Sequence, residues 1–380
     1  MTRLLLVGAG HAHLEVLRRQ ILTPLPVELT LVSLGPRHHY SGMVPGYLQG
    51  TYTEDEISFA VPALVERAGG RFVAGRAVGV DAGRRTVHLE GSPAGVAAVA
   101  YDLASFAVGS NTAGIDAPEV AAHAQRIKPI GRAAELRRRL RELARGEGAG
   151  GAVPVVVVGG GAAGVEVALA AAAVLEAAGG RHHITIVESG AEILQGYSDR
   201  CRRRAHGVLA RRGIVVRTGC RVTAVHAAAA ELASGEAIPA RLTLWLTGAV
   251  AWPLFRGAGL PLDERGFLLI DDSLRSVADP RIFAVGDCGT LASHPRTPKA
   301  GVYAVREAPV LWQSLLAALA GGTRRAPPRY RPQESFLSLL NTGDGKALLR
   351  WQGVVAHGRW AWRLKDRIDR RFMARYQSLV

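Results

Sequence analysis

Two stretches of this 380-residue chain repeat one pattern, and that pattern restricts the possible folds more than any other feature. Each is a short apolar run, a glycine turn, a helical periodicity and a second apolar run. The first begins at Arg3, turns at Gly8-Ala9-Gly10-His11-Ala12-His13, and passes Leu14 and Leu17 to an alternating strand over 27–32. The second begins with the four valines 155–158, turns at Gly159-Gly160-Gly161-Ala162-Ala163-Gly164, and runs through an Ala-rich helix to a strand over 184–188. A β-α-β unit of about thirty residues opening on G-x-G-x-x-G is a dinucleotide-binding fingerprint. Its first glycine makes the turn and its second lets the backbone approach a pyrophosphate. The third lets the helix pack on the strand, and the phosphates rest on the helix N-terminus.

The two copies differ. The second is complete and its next strand ends at Glu188, which can accept from a ribose hydroxyl. A carboxylate there repels a 2′-phosphate, so NADH is expected over NADPH. The bland alternative makes Glu188 a solvated strand end. The first copy has His13 in place of the third glycine and Ser33 in place of the ribose acid, so it also fits a plain strand–helix turn. A third signal is Phe283-Ala284-Val285-Gly286-Asp287-Cys288, a strand ending in Gly-Asp. Asp287 can accept from a ribityl or ribose hydroxyl, and the segment 297–301 then leads into a helix whose amides favour negative charge.

Between these signals, residues 35–50 read as a long functional loop rich in Pro, Gly and His, and 57–68 as a helix. A linker-like segment at 114–118 precedes a charged helix over 131–145, a flexible break at 146–151, and a helix over 301–320. The Pro-rich segment 326–332 sets off a C-terminal unit. The apolar stretch 153–175 contains Pro154, a glycine triplet and Glu166, which makes it a strand and helix instead of a membrane span. The run at Leu4 breaks at Gly8, too early for a secretory leader. The three cysteines are widely spaced and without a CxxC, which fits a reducing compartment. A net charge of +15 favours anionic partners, but the arginines are spread along helices as a solvated face. No zinc-finger or RNA-binding signature accompanies them, so nucleic acid is not an expected partner.

Taken in order, these segments resemble the pyridine nucleotide-disulfide oxidoreductase superfamily, flavoproteins with two dinucleotide folds. Within it the chain resembles the type II NADH dehydrogenases, and more narrowly the flavoprotein domain that some organisms join to selenide, water dikinase. GAGHAHLEVLRR, HYSGMVPG from His39, GGGAAGVEVA from Gly159, WLTGAVAWP from Trp245, FAVGDC, KAGVYAVREAPVL from Lys299 and WRLKDRIDRRFMARY from Trp362 carry the likeness over nearly the whole chain. It implies an α/β architecture of two Rossmann-like three-layer domains and a small C-terminal α+β unit. An FAD-binding domain over 1–115 and 250–325 would be split by an NAD(H)-binding domain over 116–249, with 326–380 as the C-terminal unit. FAD would contact Gly8, Gly10, His11, Ser33, Ser41, Met43, Gly109, Asp287 and Lys299. NADH would contact Gly159, Gly161, Gly164, Glu188 and Gly248. Glu166 matches a glutamate that faces the nicotinamide in related dehydrogenases, or is an ordinary polar residue in the first helical turn. Lys299 would assist catalysis by stabilising anionic reduced flavin or an acceptor carbonyl.

Disulfide reductases of this superfamily carry a redox cysteine pair on an early loop, where this chain has Ser41-Gly42-Met43-Val44-Pro45. A dithiol relay therefore has nothing to run on, and Cys288 reads as a small buried residue. The pairs His38-His39 and His182-His183 point apart on strands, so no metal is expected. What remains is hydride transfer from NADH to the flavin and electron delivery to a quinone or similar small acceptor. Two other readings stay open: a redox accessory to selenium metabolism, and an NADH-sensing flavoprotein acting through a partner. Trp360, Leu364, Ile368 and Phe372 recur every four residues among arginines, a basic amphipathic helix over 360–376. It would lie on an anionic membrane, or dock on the chain's own body or on a second copy in a homodimer. The chain is expected in the cytoplasm, free or on the inner face of the cell membrane.

Overall fold

The computed structural model describes residues 1–146, 151–321 and 328–380. Two parallel five-stranded sheets organise it, each built around the strand that precedes a glycine loop. In the first, the order is Ile282–Ala284, Leu103–Phe106, Thr2–Val7, Val27–Ser33, Arg71–Ala74. In the second it is Ala124–Gln125, Leu242–Trp245, Ala152–Val158, Arg181–Val187, Val215–Arg217. Strands covered on both faces must be apolar throughout, and Leu4, Leu5, Leu6, Val155, Val156 and Val157 are all buried. The helices His11–Leu22 and Ala162–Ala177 follow the two glycine loops. Each sheet is trailed by a three-stranded antiparallel sheet, over Arg76–Asp81, Thr86–Glu90 and Ala98–Ala100, and over Val222–Val225, Ala229–Leu232 and Ala237–Pro239.

The chain closes the second sheet before it returns to the first, because Ile282–Ala284 pairs with Leu103–Phe106. The helix Gly301–Leu319 then packs on the helix His11–Leu22. A three-stranded antiparallel sheet, Ser338–Asn341, Ala347–Trp351 and Val354–Gly358, and the helix Arg359–Gln377 complete the molecule. The boundary expected at 325/326, the start of the Pro-rich segment and most of the break at 146–151 lie outside the described residues. Among the described residues, no helix is long and apolar enough to cross a membrane.

Three local expectations need correction. Residues 35–50 are not a loop: Arg37–His39 pairs with Ser58–Ala60, and the helix Val44–Gln49 follows a single turn at Ser41–Met43. The helix expected over 57–68 begins only at Val61, because Ser58–Ala60 is that partner strand. Pro62 has no N–H to offer the interior of a longer helix but fits a first turn. The C-terminal helix docks only part of its apolar stripe, Leu364 and Phe372, and turns mostly other residues inward. Ala361, Lys365, Asp369, Met373 and Tyr376 face inward, while Trp360 and Ile368 stay 54% and 42% exposed. Polar partners on the body decide this: Tyr52 donates to Asp366 at 2.8 Å, and Gln377 donates to the carbonyls of Asp55 and Ser58.

Candidate active site

Both glycine loops lie at the C-terminal ends of their central strands, where parallel sheets bind ligands. Gly8 and Gly159 have φ of +86° and +110°, and a Cβ would fall 2.5 Å from the Ala107 carbonyl oxygen and 2.4 Å from that of Leu246. Only glycine allows these crossings. Gly161, Gly109 and Gly248 are different, because a Cβ on any of them would meet nothing within 4 Å. Their backbones border open space, as a bound cofactor requires. The helices His11–Leu22 and Ala162–Ala177 start at Gly10 and Gly161 with no side-chain cap. Their first-turn amides are therefore available to a pyrophosphate.

The first loop is not defective. In the second, a Cβ on Gly164 would stand 1.9 Å from the Gly159 carbonyl oxygen, so nothing larger fits. In the first, His13 occupies the matching position, fully buried, with Nδ1 2.6 Å from the Gly8 carbonyl oxygen and Nε2 2.8 Å from Ser105 Oγ. Burial lowers its pKa to about 4, so the ring is neutral at pH 7. Nδ1–H donates to Gly8 and Nε2 accepts from Ser105. The imidazole ties the turn that a glycine would merely clear.

Glu188 accepts from the backbone N–H groups of Gly160 at 2.6 Å and Gly190 at 2.7 Å, which holds its carboxylate over the second glycine loop. Ser33 ends its strand with its carbonyl taken by the Gly75 N–H. Asp287 accepts from Ser110 Oγ at 2.8 Å and lies 3.5 Å from Lys128 Nζ, a pair of partners that its sequence neighbours do not reveal. Behind it, the Gly286 N–H donates to Glu307, whose carboxyl burial pushes up to about 7.

Glu166 and Lys299 have distinct surroundings. Glu166 Oε1 accepts from the Asn341 N–H at 2.7 Å. Burial raises its pKa to about 7, against the pull of Lys365 and of that N–H. It faces the C-terminal unit and is not a solvated first-turn residue. Lys299 is tied to its own backbone: it donates to the Gly289 carbonyl and to Thr290 Oγ1, and lies 4.1 Å from the Phe267 ring centroid. These two bonds tether the segment after Asp287 and leave the third N–H of the ammonium for another acceptor.

Ser41 and Met43 sit in the turn that the C-terminal helix clamps. Lys365 Nζ donates to the Gly42 carbonyl and to Asp369, both at 2.7 Å, and Tyr40 OH donates to Asp369 at 3.2 Å. Lys365 and Asp369 are fully inside. Sequence reasoning counted Lys365 among the basic face; its i,i+4 spacing to Asp369 was the available signal. No cysteine enters this turn. Cys288 is buried with Sγ 3.1 Å from the Phe106 carbonyl oxygen, and its thiol is pushed up to about 11 by burial. The paired histidines separate: His38 meets His11, His39 meets Glu54, and His182 meets Glu176.

Two dinucleotide folds with a thiol-free turn beside the first define a class of oxidoreductase without a redox disulfide. Residues 2–308 match the model of the pyridine nucleotide-disulphide oxidoreductase family, and the chain belongs to that family. A demethylphylloquinone reductase from Synechocystis is 32% identical over 183 residues, covering 47% of this chain and 44% of that protein. A mitochondrial external alternative NAD(P)H-ubiquinone oxidoreductase from Solanum tuberosum is 29% identical over 29% of this chain and 20% of its own length. The matched stretches thus span less than half of these curated relatives. The fold is shared with NDH2 from Plasmodium falciparum solved with NADH, at TM-score 0.82, 14% identity and 99% and 97% coverage. It is also shared with a sulfide:quinone oxidoreductase from Aquifex aeolicus, at TM-score 0.81, 18% identity and 100% and 92% coverage.

Proposed function

We propose that this chain is an FAD-dependent NADH dehydrogenase that delivers electrons to a quinone or similar small acceptor. The observation that carries the reading is the pair of uncapped glycine-loop helices beside glycines whose backbones border open space. The two quinone reductases among the relatives support the acceptor class. FAD supplies the redox chemistry when bound, taking hydride from a nicotinamide and passing electrons on. Gly8, Gly10, Gly109 and Asp287 hold it, with Ser33, Ser41, Met43 and His11 around it. Gly159, Gly161, Gly164 and Gly248 admit NADH, and Glu188 favours the unphosphorylated ribose. Glu166, protonated below about pH 7, keeps a neutral acid near the C-terminal helix. The selenium-linked and sensing alternatives share these cofactors; the first differs in what takes the electrons, the second in acting through a partner with slow turnover.

The split would follow an FAD domain over 1–115 and 250–325 and an NADH domain over 116–249. The C-terminal helix both docks on the body and leaves Trp360 and Ile368 outward among Arg359, Arg363, Arg367 and Arg371. That outer face suits peripheral contact with an anionic bilayer, where a quinone dissolves. Reduction by anaerobic NADH followed by a soluble quinone tests the reading. A flavin band that bleaches and returns supports it; a band that bleaches and stays bleached removes the quinone.

A further inference from the structure

His11 and His38, 27 positions apart, are drawn together in the first fold. His11 is the first residue of the glycine-loop helix, and His38 lies on the short strand Arg37–His39. Their rings stand at 84° with His38 Nε2 3.4 Å from His11 Nδ1. This is the only side-chain hydrogen bond of either residue among the described residues. His38 stacks near Phe59, and His11 is enclosed by Tyr40 and Phe372 at 5.4 and 5.6 Å. The far nitrogen of His11 points to the start of the helix Gly301–Leu319. A Cβ on Gly301 would meet His11 Nε2 at 3.5 Å and Ser41 Oγ at 3.8 Å. One end of the pair thus reaches the floor of the candidate cofactor cleft, while both residues remain only half-buried.

The proposed reaction creates a need at that spot. NADH and a quinone yield NAD⁺ and a quinol only when one proton per turnover is added from water. We propose that His38 and His11 form a two-imidazole relay that carries this proton to the cleft, an inference that rests on the function proposed above. The proton enters at His38 Nδ1, the Nε2–H of His38 passes to His11 Nδ1, and the Nε2–H of His11 leaves into the cleft. No electrons move and one proton is gained for each one lost. Both rings then reset by exchanging their tautomers.

The surroundings keep both rings neutral at rest. Burial lowers the pKa of His11 to about 4, with Asp287 opposing, and that of His38 to about 3, with His11 and His39 adding to the effect. Both rings therefore rest neutral at pH 7, each with one N–H to donate and one bare nitrogen to accept, as the relay requires between turnovers. The other ionisable groups facing the pair are Asp287, His39 and Tyr40, and Tyr40 is held to Asp369 and stays neutral, because burial and that carboxylate raise its pKa.

Stopped-flow reoxidation of the NADH-reduced flavin by a soluble naphthoquinone tests the relay in the whole protein. His38→Ala is expected to slow the return of the flavin band by roughly 100-fold at pH 8, the low end of what a placed acid–base group contributes. Bleaching by NADH should be unchanged, and added imidazole, which fills the vacated space, should restore the rate. In ¹⁵N spectra of the resting protein, His38→Ala should also shift the His11 Nδ1 resonance. An unaltered rate, a slow rate that imidazole leaves slow, or an unmoved His11 resonance would each overturn the relay. Absence of bleaching in the parent protein would instead fault the cofactor assignment beneath it.

Discussion

The two glycine loops solve one steric problem in opposite ways. At the third fingerprint position the second fold keeps Gly164, because the Gly159 carbonyl oxygen stands where a Cβ would go. The first fold places His13 there and converts the same obstacle into a hydrogen-bond acceptor at Gly8. The consequence is a difference in rigidity. The first turn is tied through His13 to Ser105 on the neighbouring strand, whereas the second is shaped by absence of bulk and by Glu188 reaching over the loop amides. A turn tied from its own helix suits a cofactor that stays, and one rimmed by an acid suits a substrate that exchanges. Departure from a fingerprint therefore need not mean loss of the site it marks.

Substitutions at the paired positions should separate the folds. His13→Ala removes a buried ring, leaves the Ser105 hydroxyl without its partner and should cost roughly 3–4 kcal/mol of stability. Denaturant unfolding with weakened FAD retention checks this, and an unchanged midpoint would sever the tie between His13 and the loop. Gly164→Ala should cost about 1–3 kcal/mol through overpacking and impair NADH while sparing FAD. Glu188→Gln should narrow the preference for NADH over NADPH by roughly tenfold, about 1.4 kcal/mol, read from the ratio of kcat/KM values.

The last effect concerns pH. The folded protein holds the Glu166 pKa near 7, above its usual 4.5, because burial disfavours the carboxylate. Below pH 4.5 the group is protonated folded or unfolded and costs nothing. Between those values the unfolded chain ionises it and the folded one does not, so stability declines as pH rises towards 7. Glu166→Gln should flatten that decline, by at most about 3 kcal/mol for a shift of this size. A stability curve identical in parent and variant would contradict a buried neutral acid.

Much of this was legible in the sequence because local chemistry and tertiary position coincide at glycine turns. A valine run followed by GGGAAG has few alternatives, and Gly159, Gly161, Gly164 and Glu188 all lie at the second loop. Residues joined across the chain were not legible. The links of Ser110 and Lys128 to Asp287, and of Lys365 to Gly42, span 177, 159 and 323 positions. No periodicity encodes them. The apolar spacing of the last helix misled for a related reason: its inward face is chosen by buried polar partners such as Tyr40 and Tyr52, whose cost of desolvation must be met by hydrogen bonds. Lys299 shows the converse, a cation beside the predicted site whose bonds run to Gly289 and Thr290, only ten and nine residues earlier.

The division of labour between the folds is tested most directly by visible spectra of the purified parent and Gly164→Ala proteins, recorded before and after anaerobic NADH. A tied first fold for FAD and an open second fold for NADH predict a flavin band in both proteins, bleached readily in the parent and poorly in the variant. A variant that loses its flavin, or one that bleaches as the parent does, would contradict that assignment.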